Sequence, residues 1–271
     1  MSKSNDGISK ETSKSDKDFV FWAYQNLLYR DPEPRGLFHF LTLLHLGRLR
    51  SAVLDEIKAS AEYAFKHSER DVEVPWVLAR LSESDKRILD IGSAESTYLF
   101  NLADQRELFG IDPRDPLVEV PPGMVCVHGD ICHPPVELRP CSFDVIVCIS
   151  TIEHIGLSAY DQPTFENGDH LALKSMLSLL KPRGRLLLTA PYGREENHVW
   201  LKVYSHDDWM DLLGDIRPVC QDFYVCRGSW YEPCSPQDLL DVGYLWAPQD
   251  QRRTGRAGGV ICCEIVREAQ E

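Results

Sequence analysis

The chain has 271 residues and a formal net charge of −13. Its length suits one full α/β domain with a smaller element beside it. The negative charge repels phosphate backbones and disfavours a nucleic-acid substrate. No apolar run approaches the length of a membrane-spanning helix. These features favour a protein without nucleic-acid or membrane partners that acts on a small molecule.

The cysteines indicate a reducing compartment. There are nine of them, an odd number, and no pair has the C-x-x-C spacing of a zinc knuckle. Five fall inside predicted strands, where a free thiol packs as a small hydrophobe: Cys126, Cys148, Cys226, Cys262 and Cys263. We therefore expect a cytoplasmic protein without disulfides.

The N-terminal part reads as a polar leader followed by short helices. Residues 1–17 offer almost nothing to bury, which predicts a disordered leader. In residues 18–70, apolar residues recur at helical spacing and predict three amphipathic helices. Segments 29–37 and 57–63 resemble a small helical module of unknown function that is related to phycobilisome linkers. Such short helices must bury an apolar face, so we expect packing on the catalytic domain or on a second subunit, as a homo-oligomer; a substrate lid is the alternative.

Residues 71–271 alternate between strand and helix patterns. Five aliphatic strands are predicted, and their nearly continuous apolar character is typical of a parallel sheet covered on both faces; they span residues 87–91, 107–111, 124–128, 143–149 and 185–190. Helices are expected near residues 98–104, 168–180 and 207–213. Strands at 219–226 and 259–266 would close the sheet as an antiparallel pair. The insertion between them, residues 228–258, is rich in Trp and Tyr and is expected to form part of a substrate wall.

The first strand ends in a turn suited to a ligand without phosphate. Asp90-Ile91-Gly92-Ser93 passes from an aliphatic run into small polar residues, and such a turn brings backbone N–H groups close to a ligand. A dinucleotide site favours G-x-G-x-x-G because pyrophosphate needs bare backbone. Here Gly92 stands alone, and Glu95 adds a negative charge.

Five segments in order resemble the class I S-adenosylmethionine (SAM) dependent methyltransferases: Asp90-Ile91-Gly92-Ser93, Gly110-Ile111-Asp112, Gly129-Asp130-Ile131, and residues 143–147 and 180–188. The resemblance covers about residues 75–267. It implies an α/β fold with a Rossmann-like seven-stranded sheet, mostly parallel with an antiparallel last strand, preceded here by the small helical module. It also implies SAM as the cofactor.

The same resemblance implies which residues hold the cofactor. Asp90, Gly92 and Ser93 would lie near the amino-acid end of SAM, and Asp112 would accept the two ribose hydroxyls. Asp130 and Ile131 would contact the adenine ring. Ile149 and Ser150 would lie under the methionine portion.

Glu153-His154, after the fourth predicted strand, is a candidate for catalysis. An imidazole suits proton acceptance near neutral pH, so His154 is expected at the reaction centre with Glu153 and Asp169. Oxygen and nitrogen ligands for Mg²⁺ or Mn²⁺ are also present nearby; the candidates are Glu153, Asp161, Asp169 and His170, with Glu166 close in sequence. Ser150 stands where some relatives carry a glutamate, and Asp169 is equally suited to capping a helix, so the metal stays an open alternative.

The substrate expectation rests on resemblance. Residues 149–157 and 168–169 resemble a bacterial group associated with sugar and polysaccharide genes, and the layout is similar to a TDP-rhamnose O-methyltransferase of enediyne antibiotic biosynthesis. We therefore expect methylation of a sugar hydroxyl on a nucleotide-activated deoxyhexose. Basic residues that would pair with a diphosphate, or merely solubilise loops, are Arg194, Lys202, Arg252, Arg253 and Arg256. The alternatives are methylation of another small hydroxylated or amino metabolite and a SAM-binding assembly protein without activity.

Overall fold

The computed structural model describes residues 15–28, 31–58, 60, 68–160, 164–228, 230–246 and 255–269. The chain divides into two compact units. The first contains residues 1–68 and 246–255, and the second contains residues 69–245 and 256–271. Of the insertion predicted at residues 228–258, the structure describes residues 228, 230–246 and 255–258.

Within the described residues, three helices build the N-terminal unit: α1 (Asp16–Leu27), α2 (Pro34–His45) and α3 (Arg50–Lys58). Ser15 caps α1, since its hydroxyl accepts a hydrogen bond from the Asp18 backbone N–H at 3.2 Å. The first helix therefore begins two residues before the predicted boundary at residue 18. The rest of the predicted leader, residues 1–14, lies outside the described residues.

The helical unit has an apolar core of its own. Buried side chains from all three helices pack together, among them Phe19, Tyr24, Phe40, Val53 and Ile57. Ion pairs tie the helices at their surface, with Arg50 2.9 Å from Asp16 and His39 2.7 Å from Glu56. This core buries part of the apolar surface of the helices, whereas Phe38 and Leu46 are exposed. Packing of the module on the catalytic domain or on a second subunit stays a prediction.

An eight-stranded sheet forms the second unit. Its strands are β1 (Arg87–Ile91), β2 (Glu107–Asp112), β3 (Val125–His128), β4 (Phe143–Ile149), β5 (Leu180–Pro191), β8 (Cys220–Arg227), β9 (Trp230–Cys234) and β12 (Gly259–Val266). Their order is β3-β2-β1-β4-β5-β12-β8-β9. The first five run parallel, whereas β12 is antiparallel to both β5 and β8. The predicted Rossmann-like sheet with an antiparallel last strand is confirmed.

Helices cover both faces of this sheet, as the aliphatic strands predicted. Helix α4 (Arg70–Leu78) packs on one face through Trp76 and Val77. On the other face lie α5 (Gly168–Leu179) and α6 (His206–Leu213). Successive residues of a strand point to opposite faces of the sheet, where two separate apolar cores lie. Ile88 belongs to one core and Leu89 to the other.

Several short elements complete the part of the chain that the structure describes. Single turns of 3-10 helix span Phe100–Leu102, Ile152–His154 and Pro236–Leu239. Strands β6 (Glu196–Asn197) and β7 (Lys202–Val203) pair with each other. Strands β10 (Tyr244–Trp246) and β11 (Gly255–Ala257) form another two-stranded ribbon.

Two local predictions were wrong. Residues 98–104 form a 3-10 turn at Phe100–Leu102 and no α-helix, because a segment this short gains too few hydrogen bonds to offset helix nucleation. The insertion also contributes an eighth strand, β9, which pairs with β8. The sequence of β9 contains Pro233, and proline is tolerated at such a sheet edge.

All nine cysteines are free thiols. Cys148, Cys262 and Cys263 are buried within strands, as predicted, whereas Cys126 is exposed on β3. Among the helices that the structure describes, none has the length and apolar character needed to cross a bilayer. The cytoplasmic location stays a prediction.

Candidate functional site

A cavity opens at the carboxyl ends of β1, β2 and β4, where open α/β sheets bind their ligands. Seven of the eight residues predicted to hold the cofactor line it: Asp90, Gly92, Asp112, Asp130, Ile131, Ile149 and Ser150. Ser93 does not line the cavity, because its side chain turns towards Gly110, where a Cβ would come within 2.4 Å of the Ser93 hydroxyl. The parallel strands therefore bring together residues that lie 60 positions apart in the chain.

Gly92 gives this cavity a backbone wall. Its φ of +80° lies in the left-handed region, and a Cβ at this position would come 2.5 Å from the Thr151 hydroxyl. A side chain there would strain the turn and fill the cavity. The backbone N–H groups of Gly92 and Ser93 both point to the carbonyl of Ile111, which fixes the turn against β2.

Asp112 is buried at the end of β2 and is held by Arg114. The Arg114 Nε donates to Asp112 Oδ1 at 3.0 Å and its Nη2 donates to Oδ2 at 3.3 Å. Another Arg114 nitrogen donates to Glu95 at 2.9 Å, and the guanidinium lies 4.1 Å from the Tyr160 ring centre. The backbone N–H of Ala94 also donates to Asp112. The predicted ribose acceptor thus carries a cationic partner that the sequence analysis missed.

Two further carboxylates of the cavity, those of Asp90 and Asp130, differ in their environment. Asp90 is 4% exposed, and burial raises its pKa to about 7. Asp130 is partly exposed, and its Oδ1 accepts a hydrogen bond from the backbone N–H of Cys132 at 2.8 Å. Ile131, beside it, is buried and offers the apolar surface expected for the adenine ring.

Arg70 on α4 is a second cation of the cavity that the sequence analysis missed. It lies 2.5 Å from Glu73, which is fully buried and accepts a further hydrogen bond from the Ser150 hydroxyl at 2.7 Å. This chain of contacts links α4 to the end of β4. No motif marks Arg70 in the sequence, because its place at the cavity depends on how α4 packs against the sheet.

His154 lines the cavity in a defined tautomer. Its Nδ1 is 2.5 Å from the Trp200 carbonyl oxygen, and because a carbonyl only accepts, Nδ1 carries the proton. Burial lowers the pKa of His154 to about 4, although the hydrogen bond to Trp200 opposes this. The ring stacks on Trp200 at 5.4 Å and meets Tyr160 edge-on. At neutral pH the imidazole is therefore uncharged, with Nε2 able to accept a proton.

Glu153 precedes His154 but does not line the cavity. It is buried, with its Oε1 3.8 Å from the His154 Nε2 and its Oε2 without a partner among the described residues. Burial raises the pKa of Glu153 well above its ordinary value. The side chain therefore favours the neutral carboxylic acid.

Asp169 is engaged in an ion-pair network. Its Oδ2 accepts from Lys202 Nζ at 2.6 Å and from the Tyr204 hydroxyl at 3.0 Å, and its Oδ1 accepts from the His170 backbone N–H at 2.9 Å. Burial opposes ionisation, but the bonds from Lys202 and His170 outweigh it and lower the pKa of Asp169.

The predicted metal set is not assembled by the part of the chain that the structure describes. No three His, Cys, Asp or Glu side chains in that part are placed to hold a metal ion. Glu166 is exposed, and Asp161 lies outside the described residues. Lys202 instead supplies the positive charge beside Asp169.

Among the aromatic residues of the insertion, Tyr244 contacts Trp200, and the centres of these two rings are 6.3 Å apart. Trp200 in turn stacks on His154. Tyr231 instead donates its hydroxyl to the Ala257 carbonyl, and Trp230 is 57% exposed. The substrate wall stays a prediction, with Tyr244 as its best-placed member.

Comparison with known proteins defines the class to which this fold and site belong. A family model described as a methyltransferase domain matches residues 67–216, more than half of the 271 residues. The chain belongs to this methyltransferase family. Membership supports SAM as the cofactor and the predicted methyltransferase domain. A model for a domain of unknown function, DUF4214, matches residues 2–67; the relation of this module to phycobilisome linkers stays a prediction.

Solved structures agree on the fold. Two similar chains are described as putative methyltransferases, one from Bacillus halodurans C-125 and one in complex with the Trm112 methyltransferase activator of Haloferax volcanii. The first is 14% identical, with 72% of this chain and 97% of that chain covered and a TM-score of 0.50. The second is 16% identical, with 80% and 96% covered and a TM-score of 0.51. None of the curated proteins matches.

Proposed function

We propose that this protein is a SAM-dependent O-methyltransferase that methylates a sugar hydroxyl, on a nucleotide-activated deoxyhexose such as TDP-rhamnose. The observation that carries the proposal is the uncharged His154 at the edge of the cavity, with Nδ1 fixed on the Trp200 carbonyl at 2.5 Å. This arrangement leaves Nε2 as a proton acceptor, which a hydroxyl nucleophile requires.

The cavity residues fit SAM. Gly92 admits the cofactor close to the backbone, Asp112 meets the ribose hydroxyls, and Asp130 with Ile131 meets adenine. Arg70, which lines the same cavity, offers a cation for the methionine carboxylate. When bound, SAM supplies a methyl group on a positively charged sulfur, which is already a good leaving group.

The protein's own task is then to orient the acceptor and to take its proton. A hydroxyl becomes strongly acidic as its oxygen gains a methyl group, so an imidazole with a lowered pKa is still basic enough. Trp200 and Tyr160, in contact with the His154 ring, hold the imidazole in place and exclude water. Glu153 adjoins His154 and acts as a positioning residue.

Transfer from SAM carrying a ¹³C-labelled methyl group to a panel of sugar nucleotides tests this function. The expected product shows a new O-methyl resonance, and His154→Ala loses it while still binding SAM. The matched control is His128→Ala, since His128 is exposed and lines no described cavity. SAM binding without transfer to any sugar nucleotide would favour one of the two alternatives, which are methylation of another small metabolite and a SAM-binding assembly protein.

A further inference from the structure

Tyr160 lines the cavity between the two groups on which the proposed reaction depends. Its ring meets the His154 imidazole edge-on, with the ring centres 5.5 Å apart. The guanidinium of Arg114 lies over the same ring, 4.1 Å from its centre. Because Arg114 also holds Asp112, the Tyr160 ring extends from the expected ribose site to the proposed base.

The contact between Arg114 and Tyr160 marks a place where the protein stabilises a positive charge. The face of an aromatic ring carries partial negative charge and attracts cations. The guanidinium is bounded here by the Tyr160 ring and by the carboxylates of Asp112 and Glu95. A ligand that brings a positive charge to this place, and takes it over from Arg114, therefore meets the same favourable surroundings.

SAM carries its positive charge next to its ribose. The sulfonium sulfur is joined to the ribose through a single carbon atom, and the ribose is expected at Asp112. The methyl carbon must face the acceptor hydroxyl, whose proton goes to His154 in the proposed reaction. The sulfur of bound SAM is therefore expected between Asp112 and His154, in the stretch of the cavity that the Tyr160 ring lines. The product, S-adenosylhomocysteine (SAH), has an uncharged sulfur in the same place.

We propose that Tyr160 is the residue by which this site distinguishes SAM from SAH. The face of its ring stabilises the charged sulfur of the cofactor and offers nothing comparable to the neutral sulfur of the product. Arg114 occupies that face in the free protein and gives it up when SAM binds. Product release is thereby favoured, because the charge that held the cofactor is gone after transfer. The inference rests on the proposed function for the place of His154 beside the acceptor, and adds a specificity residue to it.

Two features of Tyr160 allow its ring to be changed without disturbing the fold. The residue is 47% exposed, so little packing is lost. Its backbone φ of +54° lies in the left-handed region, where β-branched residues are the most strained. Phe, Leu and Met are not β-branched, so the backbone tolerates them about as well as Tyr. Tyr160→Phe keeps the aromatic face, whereas Tyr160→Leu and Tyr160→Met remove it.

Calorimetric titration of SAM and SAH into the parent protein and these variants tests the proposal. The parent protein is expected to bind SAM more tightly than SAH. In Tyr160→Leu the Kd of SAM is expected to rise about fivefold, as for the loss of one partly desolvated cation–π contact, while the Kd of SAH stays within about twofold. Tyr160→Phe is the matched control and should keep the parent ratio of the two Kd values.

SAH binding confirms that each variant is folded, and Tyr160→Met takes the place of Tyr160→Leu if the latter does not fold. Loss of SAH binding in both aliphatic variants would overturn the proposal, since the ring would then be needed for either ligand. Equal SAM and SAH affinities in the parent protein would overturn it as well, because there would be no discrimination to assign.

Sinefungin separates the effect of the charge from that of the methyl group, since it carries an amine-bearing carbon in place of the sulfonium. It is expected to follow SAM and to bind about fivefold more weakly to Tyr160→Leu. Equal weakening of all three ligands would overturn the proposal, because the ring would then act only as a wall of the cavity. A Kd ratio that is lost in Tyr160→Phe too would assign the effect to the phenol hydroxyl and overturn it on that ground.

Binding needs no turnover, so failure of this inference and failure of the proposed function are distinguishable. A ratio that changes only in the aliphatic variants, in a protein that methylates no sugar nucleotide, supports the assignment of Tyr160 while the proposed function fails. A ratio that is equal in the parent protein and Tyr160→Leu, in a protein that does methylate a sugar nucleotide, overturns the assignment while the proposed function stands.

Discussion

The guanidinium of Arg114 donates two parallel hydrogen bonds to the carboxylate of Asp112, from Nε to Oδ1 at 3.0 Å and from Nη2 to Oδ2 at 3.3 Å. Such a fork geometry is among the stronger polar contacts in proteins. The proposed ribose acceptor is therefore already occupied by a side chain. Binding of the cofactor ribose must compete with Arg114 for the same two oxygens.

Replacing Arg114 by Gln is expected to tighten SAM binding several-fold, because it removes the side chain that competes for the two carboxylate oxygens of Asp112. Isothermal calorimetry measures the change. The control is Glu95→Gln, which removes the other carboxylate on Arg114 (2.9 Å away) but leaves the fork on Asp112. Weaker binding in Arg114→Gln would mean that the guanidinium organises the site rather than competing for it.

The contact between Arg70 and Glu73 predicts a large effect on stability. Glu73 is fully buried, so Arg70→Met leaves a buried charge uncompensated and is expected to lower the free energy of unfolding by roughly 3 kcal/mol. Urea denaturation measures the loss. The double variant Arg70→Met with Glu73→Gln should recover part of it, since the uncompensated charge is then gone. Equal losses in the single and double variants would contradict this reading.

The lowered pKa of His154, about 4, predicts the acid limit of activity. The base must be uncharged, so activity is present above the pKa and is lost as pH falls through it. Plots of kcat/KM for SAM against pH are expected to show no loss attributable to this residue between pH 8 and pH 6. A loss centred near 6.5, the value of an exposed histidine, would contradict the burial argument.

Asp90 predicts a pH dependence of stability. Its pKa in the folded state is raised to about 7 by burial, above the value in the unfolded chain. The group therefore stabilises the fold at low pH, and this contribution is lost as pH rises through 7. Asp90→Asn is expected to gain stability relative to the parent protein between pH 5 and pH 9. A difference in unfolding free energy that does not change across this range would contradict it.

EDTA dialysis is expected to leave the transfer rate unchanged, because Lys202 already neutralises Asp169 at 2.6 Å. A lysine in this place competes with a divalent cation for the same oxygens. The measurement is the initial rate before and after dialysis. Loss of activity on EDTA dialysis that Mg²⁺ or Mn²⁺ restores would show that the reaction needs a divalent cation. Asp169 and His170 would then be candidate ligands.

The residues that line the cavity at the carboxyl edge of the sheet were predictable because their positions depend on local patterns. Aliphatic runs that end in Asp90, Asp112 and Asp130 mark three strand ends, and parallel strands bring these ends to one edge. Arg114 had a weak signal in its spacing, two residues after Asp112. Each of these positions follows from the strand that precedes it.

Side-chain contacts that depend on tertiary packing could not be predicted from local sequence patterns. Arg70 reaches the cavity through the docking of α4, and Lys202 reaches Asp169 across 33 positions of sequence. No pattern within a single element encodes these contacts. The metal hypothesis arose for this reason, since the acidic residues are visible in the sequence and the lysine that neutralises one of them is not.

Calorimetric titration of SAM into the parent protein and into Asp112→Asn tests the central claim most directly, with NAD titrated as the comparison. We predict that the parent protein has one SAM site and that NAD produces no heat of binding. We also predict that Asp112→Asn binds SAM at least about tenfold more weakly, because a charge-assisted hydrogen bond is lost. Binding of NAD without SAM, or SAM affinity indifferent to the loss of the Asp112 charge, would contradict the account.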